Sequence, residues 1–112
     1  MMIEKNLVVG GKRKTSIAKA MIKDGKGIIT INKIPYENLN FFSKLAIGEP
    51  VEITKKVIGH FNFDIEVNVN GGGSESRIVS SRLAIARALV NFTKSEELKK
   101  AFSRYDKNLL IA

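Results

Sequence analysis

Cysteine is absent from the sequence. That excludes disulfides, thiolate metal sites and thiol nucleophiles, and it fits a reducing compartment. No apolar run approaches the length a membrane-spanning helix needs, so no membrane partner is expected. Met1 to Gly10 lacks a cleavage-site pattern, so no secretory signal is expected. Histidine is scarce: His60 is the only one, and beside Gly59 at an expected helix end it suits a structural role. No Ser–His–Asp set and no metal-ligand spacing appears, so neither a catalytic residue nor a metal or cofactor site is expected. Internal repeats and low-complexity tracts are also missing.

Positive charge, by contrast, is abundant. Nineteen Lys and Arg stand against eleven Asp and Glu, a net charge of +8. A surplus of this size points to a polyanionic partner, nucleic acid or an acidic membrane, although a merely soluble basic protein has the same balance. The surplus is uneven. Residues 1–33 carry eight cations and two acids, residues 34–70 three and five, and residues 71–112 eight and four. Ends that fold side by side would make one strongly positive face. At 112 residues and 44% hydrophobic composition, one folded domain spanning 1–112 is expected.

Leu7 to Val9 favour a strand leading into Gly10-Gly11. Ser16 to Lys23 alternates, Asp24-Gly25-Lys26-Gly27 is a turn signal, and Ile28 to Asn32 is a second β run; together these predict a hairpin. Pro35 suits a helix start, so Tyr36 to Ser43 is expected to be helical, with Asn38 and Asn40 weakening it. A second helix is expected from Pro50 to Ile58, stopped by Gly59. Phe63 to Val69 alternates without a fault and reads as a half-buried strand. Gly71-Gly72-Gly73 follows, then a long helix from Ser74 to Phe92, whose apolar arc holds Ile78, Val79, Leu83, Ile85, Ala86, Leu89, Val90 and Phe92. Arg82 lies inside that arc, which a core-facing stripe does not explain. Ser95 or Thr93 is the expected N-cap of a last helix, Glu97 to Lys107. The order predicts an α+β fold, helices against one sheet.

Three groups of residues suit phosphate. Lys12, Arg13 and Lys14, between Gly11 and Thr15, offer adjacent cations, and Arg grips phosphate bidentately; the same string also serves as a solvated loop. It is not a nucleotide-binding P-loop, because no glycine directly precedes Lys14. Gly71, Gly72 and Gly73 open a helix whose free amides form an anion site, where the alternative is a tight turn needing positive φ. Arg77, Arg82, Arg87, Lys99, Lys100, Arg104 and Lys107 lie on the last two helices; each can reach a phosphate or simply solvate its face. Asp64 and Glu66 share the outer face of a strand and could pair as acid and base, but they suit solvation or pairing with lysine better. Phe61, Phe63 and Phe92 lie on apolar faces and are expected in the core, so little base stacking is expected.

Several strings together resemble one family. Gly11-Lys12-Arg13-Lys14-Thr15-Ser16-Ile17-Ala18-Lys19-Ala20 is similar to the opening signature of the universal small-subunit ribosomal protein nine. Gly25-Lys26-Gly27, Asn32 and Pro35 look like its hairpin, and Lys44-Leu45 with Glu49-Pro50 like its mid-chain motif. Phe63 to Gly73 followed by Leu83-Ala84-Ile85-Ala86-Arg87-Ala88-Leu89-Val90 resembles its most specific segment. Tyr105-Asp106-Lys107 with Leu109-Leu110 resembles its late motif in the archaeal and eukaryotic form. The resemblance implies a four-stranded sheet packed by helices, with a left-handed β-α-β crossover. It implies a structural, non-enzymatic protein of the small-subunit head, bound to ribosomal RNA and neighbouring ribosomal proteins in the cytoplasm. It assigns RNA contacts to Lys12, Arg13, Lys14, Gly71 to Gly73, Arg82, Arg87 and Lys107. The family usually has a Gly-Gln pair and an acid after its glycines, where this protein has Ser76, Arg77 and Val79. The family also continues as a basic tail to the transfer RNA; with the sequence stopping at Ala112, that contact is not expected. Some small-molecule kinases share the fold, which makes a nucleotide-dependent kinase one rival and an off-ribosome RNA-binding paralogue or chaperone another.

Overall fold

A computed structural model describes residues 7–13 and 16–105, with side chains from residue 16 to residue 104. The elements run in sequence order as β1 (Leu7–Arg13), β2 (Ser16–Asp24), β3 (Ile29–Ile31), β4 (Ile34–Pro35), a 3-10 turn (Tyr36–Asn38), α1 (Phe41–Ile58), β5 (Phe63–Asn70), α2 (Ser74–Thr93) and α3 (Glu96–Tyr105). They form the α+β arrangement expected, with one mixed sheet of order β1-β2-β5-β3-β4.

The predicted hairpin is in the wrong place. β2 and β3 do not pair; β5 lies between them, antiparallel to β2 and parallel to β3. The Asp24–Gly27 segment does turn, but its glycines carry the backbone past β5. The true hairpin joins β1 to β2, with Leu7 opposite Ile22 and Arg13 opposite Ser16. β1 therefore runs through Gly10-Gly11 to Arg13, and Lys12 and Arg13 belong to a strand end rather than a loop. The strand prediction stopped at Val9 because glycine has poor β propensity, which pairing along a whole edge overrides.

The two short helices expected around Pro35 and Pro50 are also corrected. Tyr36–Asn38 is a single 3-10 turn, and one helix of 18 residues holds Pro50 in its interior. Asn40, expected to weaken a helix, begins this one: its side-chain oxygen accepts the Ser43 amide at 2.9 Å. An interior proline costs about 3 kcal/mol. Burial of Ile47, Pro50, Val51 and Ile53 on the same stretch opposes that cost. Gly59 ends the helix as expected, at φ 97°. Ser95 accepts the Leu98 amide at 3.1 Å and caps α3, again as expected.

α2 lies across β1 and β2 and touches β5, while α1 packs on α2 and α3. β2 alternates: Ala18, Ala20 and Ile22 are fully buried, and Ile17, Lys19, Met21 and Lys23 are exposed. β5 does the same, with Phe63, Ile65, Val67 and Val69 inside. Alanines at 18, 20, 84 and 88 are all fully buried, so β2 and α2 approach closely. Phe61 and Phe63 are buried, and Phe92 packs against the same core, as expected. The helices cover one face of the sheet. The other is open and carries Lys19, Lys23, Glu66, Asn68 and Asn70.

Candidate nucleic-acid interface

The end of the β1–β2 hairpin meets the glycine junction. Ile17 pairs with Asn70, so Ser16 stands beside Gly71. The fully buried Ser16 hydroxyl donates to the Gly71 carbonyl at 2.8 Å, and Arg77 Nε donates to the same oxygen at 3.1 Å. Opposite Ser16 in the ladder is Arg13, and next to it Lys12 opposite Ile17. Three groups singled out separately in the sequence thus share one end of the sheet: the basic string, the glycines and Arg77.

The three glycines are not equivalent. Gly71 and Gly72 have φ of 82° and 65°, which favours glycine. A Cβ on Gly72 would also lie 2.2 Å from Ser16 Oγ. The tight-turn reading therefore accounts for these two. Gly73 has extended backbone, φ −88° and ψ 178°, and a Cβ there would meet nothing within 4 Å. Gly73 is the N-cap of α2 and supplies no side-chain hydrogen bond, whereas Asn40 and Ser95 cap α1 and α3. Among the described residues, no side group caps the positive amide end at the start of α2.

The other predicted cations are dispersed. Arg82 makes an ion pair with Glu49 of α1, which explains a cation inside the apolar arc: it bridges two helices. Arg87 is half-buried and lies ten residues beyond Arg77, about 15 Å along the axis. Lys100 and Arg104 are exposed and four residues apart on α3, so they share a face. Lys14 and Lys107 lie outside the described residues, as do the late-motif residues after Tyr105.

Asp64 has a structural task. Its Oδ1 accepts the amides of Lys26, Gly27 and Ile28 at 2.9, 3.2 and 3.1 Å. Burial pushes its carboxyl up, but those amides and the Lys23 charge outweigh it and hold the group below the usual carboxylate range. His60 is structural in the same sense: its Nδ1 accepts the Asn62 amide at 3.2 Å, and its ring lies against Phe63. Sequence reasoning passed over Ser16, whose only signal was a hydroxyl on the buried side of an alternating strand. It also passed over Phe41 and Phe42, which are 69% and 82% exposed. Adjacent aromatics opening a helix cannot both face the core, and that spacing was the available clue.

The sequence model of the family described as ribosomal protein S9/S16 matches residues 11–112. The protein belongs to the ribosomal protein S9/S16 family. Among its relatives, small ribosomal subunit protein uS9 of Desulfurococcus amylolyticus is 45% identical over 111 residues, covering 95% of this sequence and 75% of its own length. The proteins of the same name from Thermoplasma volcanium and Methanococcus vannielii are 41% and 39% identical, over 107 and 103 residues. These matches cover 94% and 91% of this sequence, and 79% and 75% of the relatives. The family match begins at Gly11, at the basic string, and spans the glycine junction and α1, α2 and α3.

Proposed function

We propose that this protein is a structural constituent of the small ribosomal subunit, a cytoplasmic protein that binds ribosomal RNA of the subunit head beside neighbouring ribosomal proteins and catalyses no reaction. The observation that carries the reading, within a family of ribosomal proteins, is the junction where Ser16 and Arg77 hold Gly71. It brings the strand positions of Lys12 and Arg13, and Arg77, to the same end of the sheet as a helix start that no described side group caps. Such a site takes phosphate, and folded RNA is read chiefly through backbone and shape. Lys14, Arg87, Lys100, Arg104 and Lys107 extend the contact. Arg82 contributes by fixing α1 against α2 through Glu49. Of the two strand acids weighed for an acid–base pair, Asp64 has its Oδ1 engaged by turn amides, which favours the structural reading over the kinase alternative.

The test is filter binding of the full-length protein to a head-domain ribosomal RNA fragment across a salt series. Replacing Arg77 with Ala is expected to weaken binding uniformly and lower the salt slope by about one. Joint replacement of Arg13 and Lys14 is expected to lower it by about two on the same basis. Unchanged slopes in both variants would remove the interface from this end of the sheet.

A further inference from the structure

We infer that the Asn70–Gly71 bond is a site of spontaneous deamidation, placed so that the product puts a negative charge into the proposed RNA interface. Among the asparagines of the sequence, Asn70 alone precedes glycine. The pairing matters chemically. The backbone nitrogen after an asparagine can attack the asparagine Cγ, and the absence of a Cβ on the following residue removes the main steric barrier.

The fold leaves both reacting groups available. Asn70 and Gly71 are exposed. Among the described residues, the Asn70 carboxamide makes no hydrogen bond and the Gly71 N–H donates to none, whereas the Gly71 carbonyl is held by Ser16 and Arg77. Asn70 is the last residue of β5, paired only at the ladder's terminal position with Ile17. Rotation there disturbs one strand end. Asn32 and Asn40 are different: Asn32 bonds both backbone groups of Val69, and Asn40 caps α1.

The step balances without a cofactor. The Gly71 nitrogen, losing its proton to solvent base, forms a bond to Asn70 Cγ. The Cγ–Nδ2 bond breaks and ammonia leaves. The resulting five-membered succinimide is then opened by water at either carbonyl, giving aspartate or isoaspartate at 70. The net change is one ammonia lost and one water gained, and no oxidation occurs. The new carboxylate sits one residue from the carbonyl that Arg77 holds, so it repels phosphate and competes for the guanidinium. This consequence, though not the reaction, rests on the RNA-binding reading.

The experiment incubates the full-length protein, free of RNA, at neutral and alkaline pH, followed by trypsin digestion and fragment-ion mass spectrometry of the peptide Val57–Arg77. That peptide also contains Asn62 and Asn68, which serve as internal controls. The expected result is amide-to-acid conversion at Asn70 ahead of the other two, faster at higher pH, with two chromatographically distinct products. Asn70→Gln should abolish the conversion at that position. No conversion, or conversion first at Asn62 or Asn68, overturns the inference. A second arm measures RNA binding by Asn70→Asp, expected to be weaker on the order of fivefold, the effect of a unit charge a few ångströms from a phosphate in water. Conversion with unaltered RNA binding would leave the reaction standing and overturn its placement in the interface.

Discussion

At one end of β5 the Gly25–Ile28 turn delivers three amides to the Asp64 carboxylate. At the other end the Gly71–Gly73 junction delivers the start of α2 to no side group among the described residues. Both ends are glycine-rich, and both gather backbone N–H groups. They differ in whether the protein supplies its own anion. Near Asp64 the space is filled so completely that a Cβ on Gly25 would lie 2.1 Å from the carboxyl carbon. Beside Gly73 the space is open. Glycine thus marks two opposite things in this protein: room already taken by a neighbour, and room left open.

Substitutions can break this contrast. Gly25→Ala should have the largest effect, about 3 kcal/mol of lost stability by urea denaturation, because the displaced Asp64 also abandons its amides. Asp64→Asn should cost about 2 kcal/mol, by weakening charge-assisted bonds. It should also change the acid limb of stability. The folded carboxyl has a depressed pKa, so its contribution is complete above the unfolded value and is lost as pH falls through the folded one. Asn at 64 removes that loss, so wild type and variant should converge below the ordinary Asp range. Curves that stay parallel would mean the turn does not depend on the charge. Gly72→Ala should cost about 1 kcal/mol, from positive φ and contact with the Ser16 hydroxyl. Gly73→Asp should have the smallest effect on stability and the opposite sign, a gain of a few tenths of a kcal/mol from capping α2. It should nevertheless weaken RNA binding, and a variant that gained stability with RNA affinity intact would show that the open end serves no anion.

Much of the fold was legible because alternation and helical periodicity report burial directly. Phe63 to Val69, the long helix and the Ser95 cap appear where the pattern put them, and the arc does too except at Val79, which is exposed. Strand partnership was not legible. Nothing local distinguishes a turn that closes a hairpin from one that steps over an inserted strand, and the insertion of β5 is decided by residues about forty positions away. Pro50 misled for a related reason: local propensity counts the missing N–H, while the compensating contacts lie on other elements. The proposed interface was half legible. Lys12, Arg13, the glycines and Arg77 could be chosen by chemistry, and pairing of β1 with β2 and β2 with β5 brings their backbones together. The Arg82–Glu49 pair needed the packing of α1 on α2 to be seen.

The place of β5 between β2 and β3 also sets an order in time. In a polypeptide synthesised from its N-terminus, the β1–β2 hairpin and the short β3 emerge before the strand that joins them. Ile22, Ile29 and Ile31 must wait, with their apolar sides uncovered, for a segment that follows the whole of α1. Closing the sheet is therefore a non-local event, slow relative to helix formation. A nascent polypeptide stalled before Phe63 would present unpaired edges on both sides of the vacant slot, which is the condition under which strands find the wrong partner.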